Sequence, residues 1–228
     1  MKKNLSFAFQ KSLPILFGYV FLGFAFGVLL TSQGFSPLWA FLFSLLVYSG
    51  SLQMLMVSLL SGGAALSTIG LMTLLVNFRH IFYGLSFLDK LKKWGKFAFY
   101  PIFALTDETY SVLCACEFPQ DVDENQATFL IALLNHSYWV LGSLAGALAG
   151  AALPFDLTGI DFSMTALFIV LLIEQWKSFS NALPAWIGLG CGGITLMLLG
   201  PDAFLAPALI ATVCMLMLLR NAIERRKA

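Results

Sequence analysis

Charged residues are scarce in this sequence. Asp, Glu, Lys and Arg make up 11% of its 228 residues, whereas 59% are hydrophobic. A soluble domain usually carries about 25% charged residues, so burying this much apolar surface in one soluble core is implausible. The composition is typical of a polytopic helical membrane protein, in which each helix satisfies its own backbone polar groups. The expected fold class is therefore all-α.

Features that mark several other functions are also absent. The cysteines, Cys114, Cys116, Cys191 and Cys214, lie in apolar runs without a CxxC spacing or a neighbouring histidine, so we interpret them as small buried residues. No GxSxG, HExxH, phosphate-binding loop or Rossmann fingerprint occurs. We therefore expect no enzyme activity, no cofactor and no metal. Basic residues form no long stripe, and nucleic-acid binding is not expected.

Eight hydrophobic segments follow one another with short connections. They cover residues 13–31, 37–60, 64–88, 97–116, 127–152, 162–174, 182–199 and 203–219. A transmembrane helix needs about 20 apolar residues, so most of these segments are long enough to cross a bilayer. No connection is long enough to separate domains, and a single transmembrane domain over residues 1–228 is expected.

The basic residues predict how many segments cross. They cluster at the N-terminus, in the loop 88–96 and in the tail 220–227, whereas the acidic loop around Asp121 has none. Because Lys and Arg near spans favour the cytoplasm, both termini are expected there and the acidic loop outside. Three segments precede the lysine-rich loop and five follow it, so one in each group should not cross. This gives six crossings; the alternative is seven or eight full spans.

Two segments are the best candidates for a broken or re-entrant path. Segment 37–60 is interrupted by polar residues, and segment 162–174 is short and ends at Glu174. Such segments are tolerated only where protein or a cavity encloses them. The two segments occupy corresponding places in the halves 1–118 and 126–220, and the first helices of these halves share spaced glycines. This similarity between the halves predicts an inverted repeat, which in transporters indicates a binding site at the membrane midplane.

Two acidic residues lie in the middle of segment 97–116. Asp107 and Glu108 follow Thr106 near the centre of a stretch that is long enough for one spanning helix. Carboxyl groups at membrane depth are costly unless they face a wet cavity or a partner, so these two are candidates for proton coupling. The alternative is that the stretch is a loop.

The interruption in segment 37–60 supplies candidates for substrate binding. Tyr48, Ser49, Gly50 and Gln53 place hydroxyls, an amide and a hinge in an apolar run. Backbone groups freed by such a break could hold the charged ends of an amino acid. The alternative is hydrogen bonding between helices, which is worth about 1 kcal/mol per bond.

A second polar group consists of Asn77, Arg79 and His80, about three helical turns from the lysine-rich loop. Arg79 is the expected counter-charge for Asp107 or Glu108, or for a substrate carboxylate, because its planar fork matches a carboxylate. The alternative is an arginine that snorkels to the interface.

The remaining candidates also have simpler explanations. His136 could pass protons near neutrality, or it could be a hydrogen-bonded packing residue near the membrane face. Asp161 fits a solvated loop or a helix cap, and Glu174 could pair with Lys177 one turn away. Five glycines at or near four-residue spacing predict close helix packing; they are Gly23, Gly27, Gly142, Gly146 and Gly150.

Four stretches together resemble a known family. They are GFAFGVLLTSQGFSPLWAFLFSLLVYSGSLQ (23–53), VNFRHIFYGLS (76–86), LTDETYSVL (105–113) and GIDFSMTALFIVLL (159–172). In this order they resemble the AzlC family, the large subunit of bacterial branched-chain amino acid exporters. The last fifty residues match only in hydropathy.

The resemblance implies a secondary active exporter of leucine, isoleucine and valine, with methionine as a further substrate. It also implies the bacterial inner membrane, a small hydrophobic AzlD-type subunit as partner and the proton gradient as energy source. Two alternatives remain open. One is an uptake permease subunit energised by a separate ATPase, and the other is a membrane scaffold without transport activity.

Overall fold

The computed structural model describes residues 2–87, 98–152, 169, 173, 182–200 and 204–219. Throughout these ranges the chain consists of helices and their connections, which agrees with the all-α prediction. Asp161, Glu174 and nearly all of segment 162–174 lie outside the described residues, as does the lysine-rich loop.

The described ranges contain ten continuous helices. They are α1 (Lys2–Ser32), α2 (Pro37–Leu46), α3 (Gly50–Ser61), α4 (Leu66–Asn77), α5 (Arg79–Ser86), α6 (Phe99–Phe103), α7 (Asp107–Ala115), α8 (Glu124–Ala152), α9 (Leu183–Leu199) and α10 (Leu205–Leu218). Of the described helices, α1 and α8 are long and apolar enough to cross a membrane alone. The count of six to eight crossings stays a prediction.

The chain divides into two compact units. The first unit comprises Met1–Ala65 and Val76–Asp161, and the second comprises Leu66–Leu75 and Phe162–Ala228. In the second unit, α9 packs against α10. The candidate residues that the structure describes all belong to the first unit.

Helices α1 and α8 form the scaffold of the first unit and run parallel. At one end, Asn4 Nδ2 donates a hydrogen bond to Gln126 Oε1 at 2.9 Å. At the other end, a Cβ added to Gly150 would lie 3.2 Å from the Cα of Val28. An inverted repeat that matches these two helices would make them antiparallel, so that pairing is wrong.

Glycines allow the two scaffold helices to touch through their backbones. A Cβ on Gly27 would overlap the backbone of Ser143, and a Cβ on Gly146 would overlap the backbone of Phe24. Neither backbone can move away without separating the helices, so larger residues are excluded here. The predicted role of these glycines in close packing is confirmed.

The acidic loop before α8 lies beside the N-terminus of α1. Lys3 Nζ is 3.0 Å from Asp121 Oδ2, and the Asp123 N–H donates to Asn4 Oδ1 at 3.2 Å. The prediction that this loop and the N-terminus lie on opposite sides of the membrane is therefore wrong. Acidic residues contribute little to the charge rule, so a loop without basic residues was weak evidence for an outside location.

Segment 37–60 is broken, as the sequence predicts. Helix α2 ends at Leu46 and α3 begins at Gly50. Between them Tyr48 has φ 41°, a left-handed conformation that is uncommon for a bulky residue. Such strain persists only where surrounding contacts enforce it.

The chain bends sharply at this first break. Gln53 Nε2 donates to Ser44 Oγ at 3.2 Å. A continuous helix would place these residues about 13.5 Å apart along its axis, beyond the reach of the two side chains. Helix α2 follows the C-terminal end of α1 and reaches the middle of α8, where the Ser44 carbonyl lies 3.0 Å from His136 Nε2.

Segment 97–116 is also broken, so the prediction of one continuous helix there is wrong. Helix α6 ends at Phe103 and α7 begins at Asp107. Thr106 caps α7, because its side-chain oxygen accepts a hydrogen bond from the Thr109 N–H at 3.3 Å. A threonine cap followed by an acidic first turn favours a new helix start at this point.

From this second break, α7 runs antiparallel to α8. Thr109 contacts Asn135 in the middle of α8, whereas Leu113 packs with Ile131 and Ala8 nearer the N-terminal ends of α8 and α1. The first break therefore reaches the middle of α8 from the C-terminal end of that helix, and the second break reaches it from the N-terminal end.

Candidate functional site

Buried polar side chains of the first unit concentrate at the level of the two breaks. We call them the polar centre, which consists of Tyr19, Ser44, Tyr48, Ser49, Gln53, Thr106, Thr109, Asn135 and His136. By contrast, Phe17 and Phe21 on the outer face of α1 are 71% and 73% exposed. An apolar exterior around a polar interior reverses the pattern of a soluble protein and suits a chain surrounded by lipid.

Trp139 of α8 fixes the start of α3. Its indole Nε1–H donates to Gln53 Oε1 at 2.9 Å. A Cβ added to Gly50 would lie 2.9 Å from the Trp139 ring, so any larger residue requires the ring to move. Gly50 and Gln53, both predicted site residues, are thus held against α8.

Ser49 and Asn77, which the sequence places in separate groups, contact each other. The Ser49 hydroxyl donates to Asn77 Oδ1 at 2.8 Å. As the N-cap residue of α3, Ser49 makes no side-chain capping bond. The first-turn N–H groups of a helix form its positive end, which favours a negative charge.

Next to Asn77, the other members of the second predicted group are described only in part. His80 Nδ1 lies 3.2 Å from the Asn77 carbonyl oxygen, and its ring meets Tyr83 edge-on at 5.7 Å. Arg79 begins α5, and its side chain lies outside the described atoms. Its role as counter-charge stays a prediction.

Five polar side chains form a continuous chain at the second break. Glu108 Oε2 accepts from the Tyr19 hydroxyl at 2.8 Å, and Tyr19 Oη lies 2.6 Å from Thr106 Oγ1. Thr106 Oγ1 is 3.1 Å from Thr109 Oγ1, which accepts from Asn135 Nδ2 at 3.1 Å. This chain joins α1, α7 and α8.

His136 links the two breaks to each other. Its Nε2 lies 3.0 Å from the Ser44 carbonyl oxygen, which can only accept, so this nitrogen carries the proton. In the neutral ring Nδ1 then accepts from the Tyr100 hydroxyl at 2.7 Å. The ring also lies 4.2 Å from the Tyr48 ring. The expectation of a position near the membrane face is wrong, because His136 lies in the middle of α8.

Two buried polar atoms at this centre make no hydrogen bond. They are the Tyr48 hydroxyl and Asn135 Oδ1. The Tyr48 ring meets the Tyr19 ring edge-on, with 6.4 Å between their centroids. Most buried polar atoms have a partner, so both belong to a site that is not saturated by the protein itself.

The two acidic residues differ in their surroundings. Both lie in the first turn of α7, where the helix dipole favours negative charge. Asp107 is half-buried, whereas Glu108 is exposed and also bonded to buried Tyr19. The pair is level with the middle of α1 and α8, because Tyr19 lies midway along α1.

A groove of about 580 Å³ opens beside the polar centre. Its volume is in the range of small-molecule sites, and such sites are also mostly apolar with a few polar groups. The residues that line it are Leu45, Leu46, Tyr100, Phe103, Leu133, His136, Ser137, Val140 and Leu141.

Several residues of the site were not among the predicted candidates. Tyr19, Tyr100, Thr109, Asn135 and Trp139 all make side-chain hydrogen bonds at the breaks. Tyr19 and Asn135 are polar residues inside long apolar helices, which is the pattern that could have identified them. Among the described residues, no group of three or more His, Cys, Asp or Glu is placed to hold a metal ion.

These features define a helical membrane protein with two broken segments that meet at a buried polar centre. The family model described as AzlC protein matches residues 14–153. The chain belongs to the AzlC family.

Curated relatives match over most of the chain. The branched-chain amino acid transport protein AzlC of Bacillus subtilis is 38% identical over 96% of this chain and 86% of its own length. An uncharacterized membrane protein of Helicobacter pylori strain 26695 is 42% identical over 95% of each chain. Inner membrane protein YgaZ of Escherichia coli K12 is 31% identical over 74% of this chain and 71% of its own. No solved structure matches.

Proposed function

We propose that this protein is a secondary active exporter of leucine, isoleucine and valine, with methionine as a further substrate. The observation that carries the proposal is the meeting of two broken segments at the polar centre. Broken helices near the membrane midplane form the substrate and ion sites of many secondary transporters. The printed name of the Bacillus subtilis relative, a branched-chain amino acid transport protein, supports the same class of substrate.

In this proposal the broken segments enter the membrane from opposite sides. Helices α2 and α3 approach the polar centre from the C-terminal end of α1, and α6 and α7 flank the N-terminal half of α8. The basic N-terminus assigns the N-terminal ends of α1 and α8 to the cytoplasm, and both termini of the chain are proposed to lie there. Each break would then face one side, as alternating access requires.

The substrate would bind between the two breaks. Its carboxylate would lie at the first turn of α3, near Ser49, Gly50 and Asn77, and Arg79 would supply a positive charge. Its ammonium group would face Tyr48 and the carboxylates of α7. The apolar groove next to His136 is large enough for an aliphatic side chain.

Proton coupling and a partner subunit complete the proposal. Asp107 or Glu108 would take up a proton and release it as access alternates. A small hydrophobic AzlD-type subunit would assemble with the chain in the bacterial inner membrane. The protein itself would need no cofactor and catalyse no covalent reaction.

Counterflow of labelled leucine in liposomes tests this proposal. Purified protein, with and without the small subunit, is reconstituted under an imposed pH gradient. We expect leucine exchange that is independent of ATP and accelerated by the gradient, and the acceleration should disappear with an uncoupler. Flux that requires ATP would favour the uptake permease. No flux under any condition would favour the scaffold.

A further inference from the structure

One phenolic proton lies between two acceptors at the second break. Tyr19 Oη is 2.8 Å from Glu108 Oε2 and 2.6 Å from Thr106 Oγ1. Tyrosine has a single O–H, so it can donate to only one of the two oxygens at a time. The protonation state of Glu108 decides which one.

The five polar side chains have two complete arrangements. With Glu108 ionised, its carboxylate only accepts, so Tyr19 donates to Oε2 and Thr106 donates to Tyr19 Oη. With a proton on Oε2, Glu108 donates to Tyr19 Oη, Tyr19 donates to Thr106 Oγ1, and Thr106 donates to Thr109 Oγ1 at 3.1 Å. The arrangements differ by one proton, taken from water, and by rotation of hydroxyl groups.

Burial places the two ends of this chain in different environments. Glu108 is exposed, whereas Tyr19, Thr106 and Thr109 are 4%, 9% and 0% exposed. A carboxylate at this depth requires a wet cavity or a partner. In the proposal a proton reaches Glu108 through such a cavity, and its arrival changes hydrogen bonds among the buried side chains. The heavy atoms need not move for the proton to bind, which makes the site suited to repeated protonation.

The bond between α1 and α7 changes in strength with this proton. A hydrogen bond to an ionised carboxylate is roughly twice as strong as one between neutral groups. Protonation of Glu108 replaces such a bond with a neutral one, so the start of α7 is then held less firmly against Tyr19. The proton thereby acts on the second break directly.

The titratable neighbours come from three directions. Tyr19 of α1 bonds to Glu108, the ring of Tyr48 in the loop between α2 and α3 lies 6.4 Å from that of Tyr19, and Asp107 precedes Glu108 in α7. From α8, His136 lies behind Tyr48 at 4.2 Å between rings. Among the groups named here, Asp107 is the other carboxyl, so it is the competing proton carrier.

We propose that Glu108, and not Asp107, carries the transported proton, and that Tyr19 is the positioning residue that converts its protonation into a changed contact at the start of α7. This inference rests on the proposed transport function. Tyr19 was not among the candidate residues predicted from the sequence.

The first experiment compares Glu108→Gln with Asp107→Asn in leucine counterflow. We expect Glu108→Gln to exchange leucine but to lose at least about ten-fold acceleration by a pH gradient, because a change of one pH unit is ten-fold in proton activity. Glu117→Gln, in the exposed loop after α7, is the matched control. In Asp107→Asn the response to pH should persist, whatever its rate. Loss of that response in Asp107→Asn alone would overturn the inference while leaving the transport function intact.

The second experiment uses the shift in the pH midpoint of transport. Tyr19→Phe removes the donor to ionised Glu108, so protonation becomes easier and the midpoint should rise, by about one pH unit. Thr106→Val is the comparison, because Thr106 bonds to Tyr19, to the Thr109 hydroxyl and to the Thr109 N–H in both arrangements, so its midpoint should move less. An unchanged midpoint in Tyr19→Phe, or a larger shift in Thr106→Val, would contradict the role of Tyr19. If Tyr19→Phe does not reconstitute, the comparison of Glu108→Gln with Asp107→Asn still tests which carboxyl carries the proton.

Discussion

The two helix breaks have similar positions but different internal support. At the first break, Ser49 gives its hydroxyl to Asn77 and leaves α3 without a side-chain cap, while Tyr48 adopts φ 41°. At the second, Thr106 caps α7 and Glu108 lies in the helix's first turn, where negative charge is favoured. Both breaks bond to other helices, but only at the second does the N-cap residue also cap its helix.

This difference teaches which break is suited to which task. A break with a strained backbone, whose N-cap residue makes no side-chain capping bond, has binding capacity left for a ligand. A break that is already capped has less, but its carboxylates can gain and lose a proton without disturbing the cap. We therefore assign substrate binding mainly to the first break and proton binding to the second.

The largest difference in stability is expected between variants of Gln53 and Asn135, the two buried amide side chains at the breaks. Gln53 is bonded at both ends, to Trp139 and Ser44, whereas Asn135 is bonded at one end only. Gln53→Leu strands the Trp139 N–H and should cost about 1–3 kcal/mol, and Asn135→Leu should cost less than about 1 kcal/mol. The free energy of unfolding of each variant can be measured in mixed micelles. Equal losses for the two variants would contradict the expected difference.

A smaller effect distinguishes the two N-cap residues. Thr106→Ala removes a true cap and should reduce the free energy of unfolding by about 1 kcal/mol. Ser49→Ala removes only the bond to Asn77, which is worth about 0.6 kcal/mol in membrane proteins. Thermal unfolding of both variants in one detergent gives the comparison, and a larger loss for Ser49→Ala would show that the first break is capped after all.

The smallest effect lies outside both breaks, at the ion pair of Lys3 and Asp121. The hydrogen bond and positive charge of Lys3 lower the pKa of the Asp121 carboxyl. A lowered pKa contributes stability above the ordinary carboxyl value, and this contribution is lost as pH falls through the lowered one. Carboxyl NMR should show the Asp121 pKa return toward its ordinary value in Lys3→Gln. An unchanged Asp121 pKa in this variant would exclude the ion pair between Lys3 and Asp121.

Local sequence patterns predicted part of this structure correctly. Polar residues around Tyr48 indicated a break, and glycines such as Gly27 and Gly146 indicated close helix packing. The structure confirms both. Each of these features depends on residues near one another in the sequence or on one helix face, which is why the sequence is informative there.

Other features depended on contacts that hydropathy does not encode. Segment 97–116 is long enough to span, and length alone does not distinguish one helix from two that meet at Thr106, although its cap and acidic turn favoured a helix start. Tyr19 and Asn135 belong to the site because α1 and α8 bring them to α7. Pairings between residues about 90 positions apart, such as Tyr19 with Glu108, require the fold itself.

Cysteine accessibility tests the central claim most directly, that two breaks reach one polar centre from opposite sides. In a background without the four native cysteines, Ser49→Cys and Thr106→Cys are labelled with a membrane-impermeant maleimide from either face. We predict that Ser49→Cys reacts from the outer face, Thr106→Cys reacts from the cytoplasmic face, and leucine protects both. Labelling of both positions from the same face, unaffected by leucine, would contradict the account.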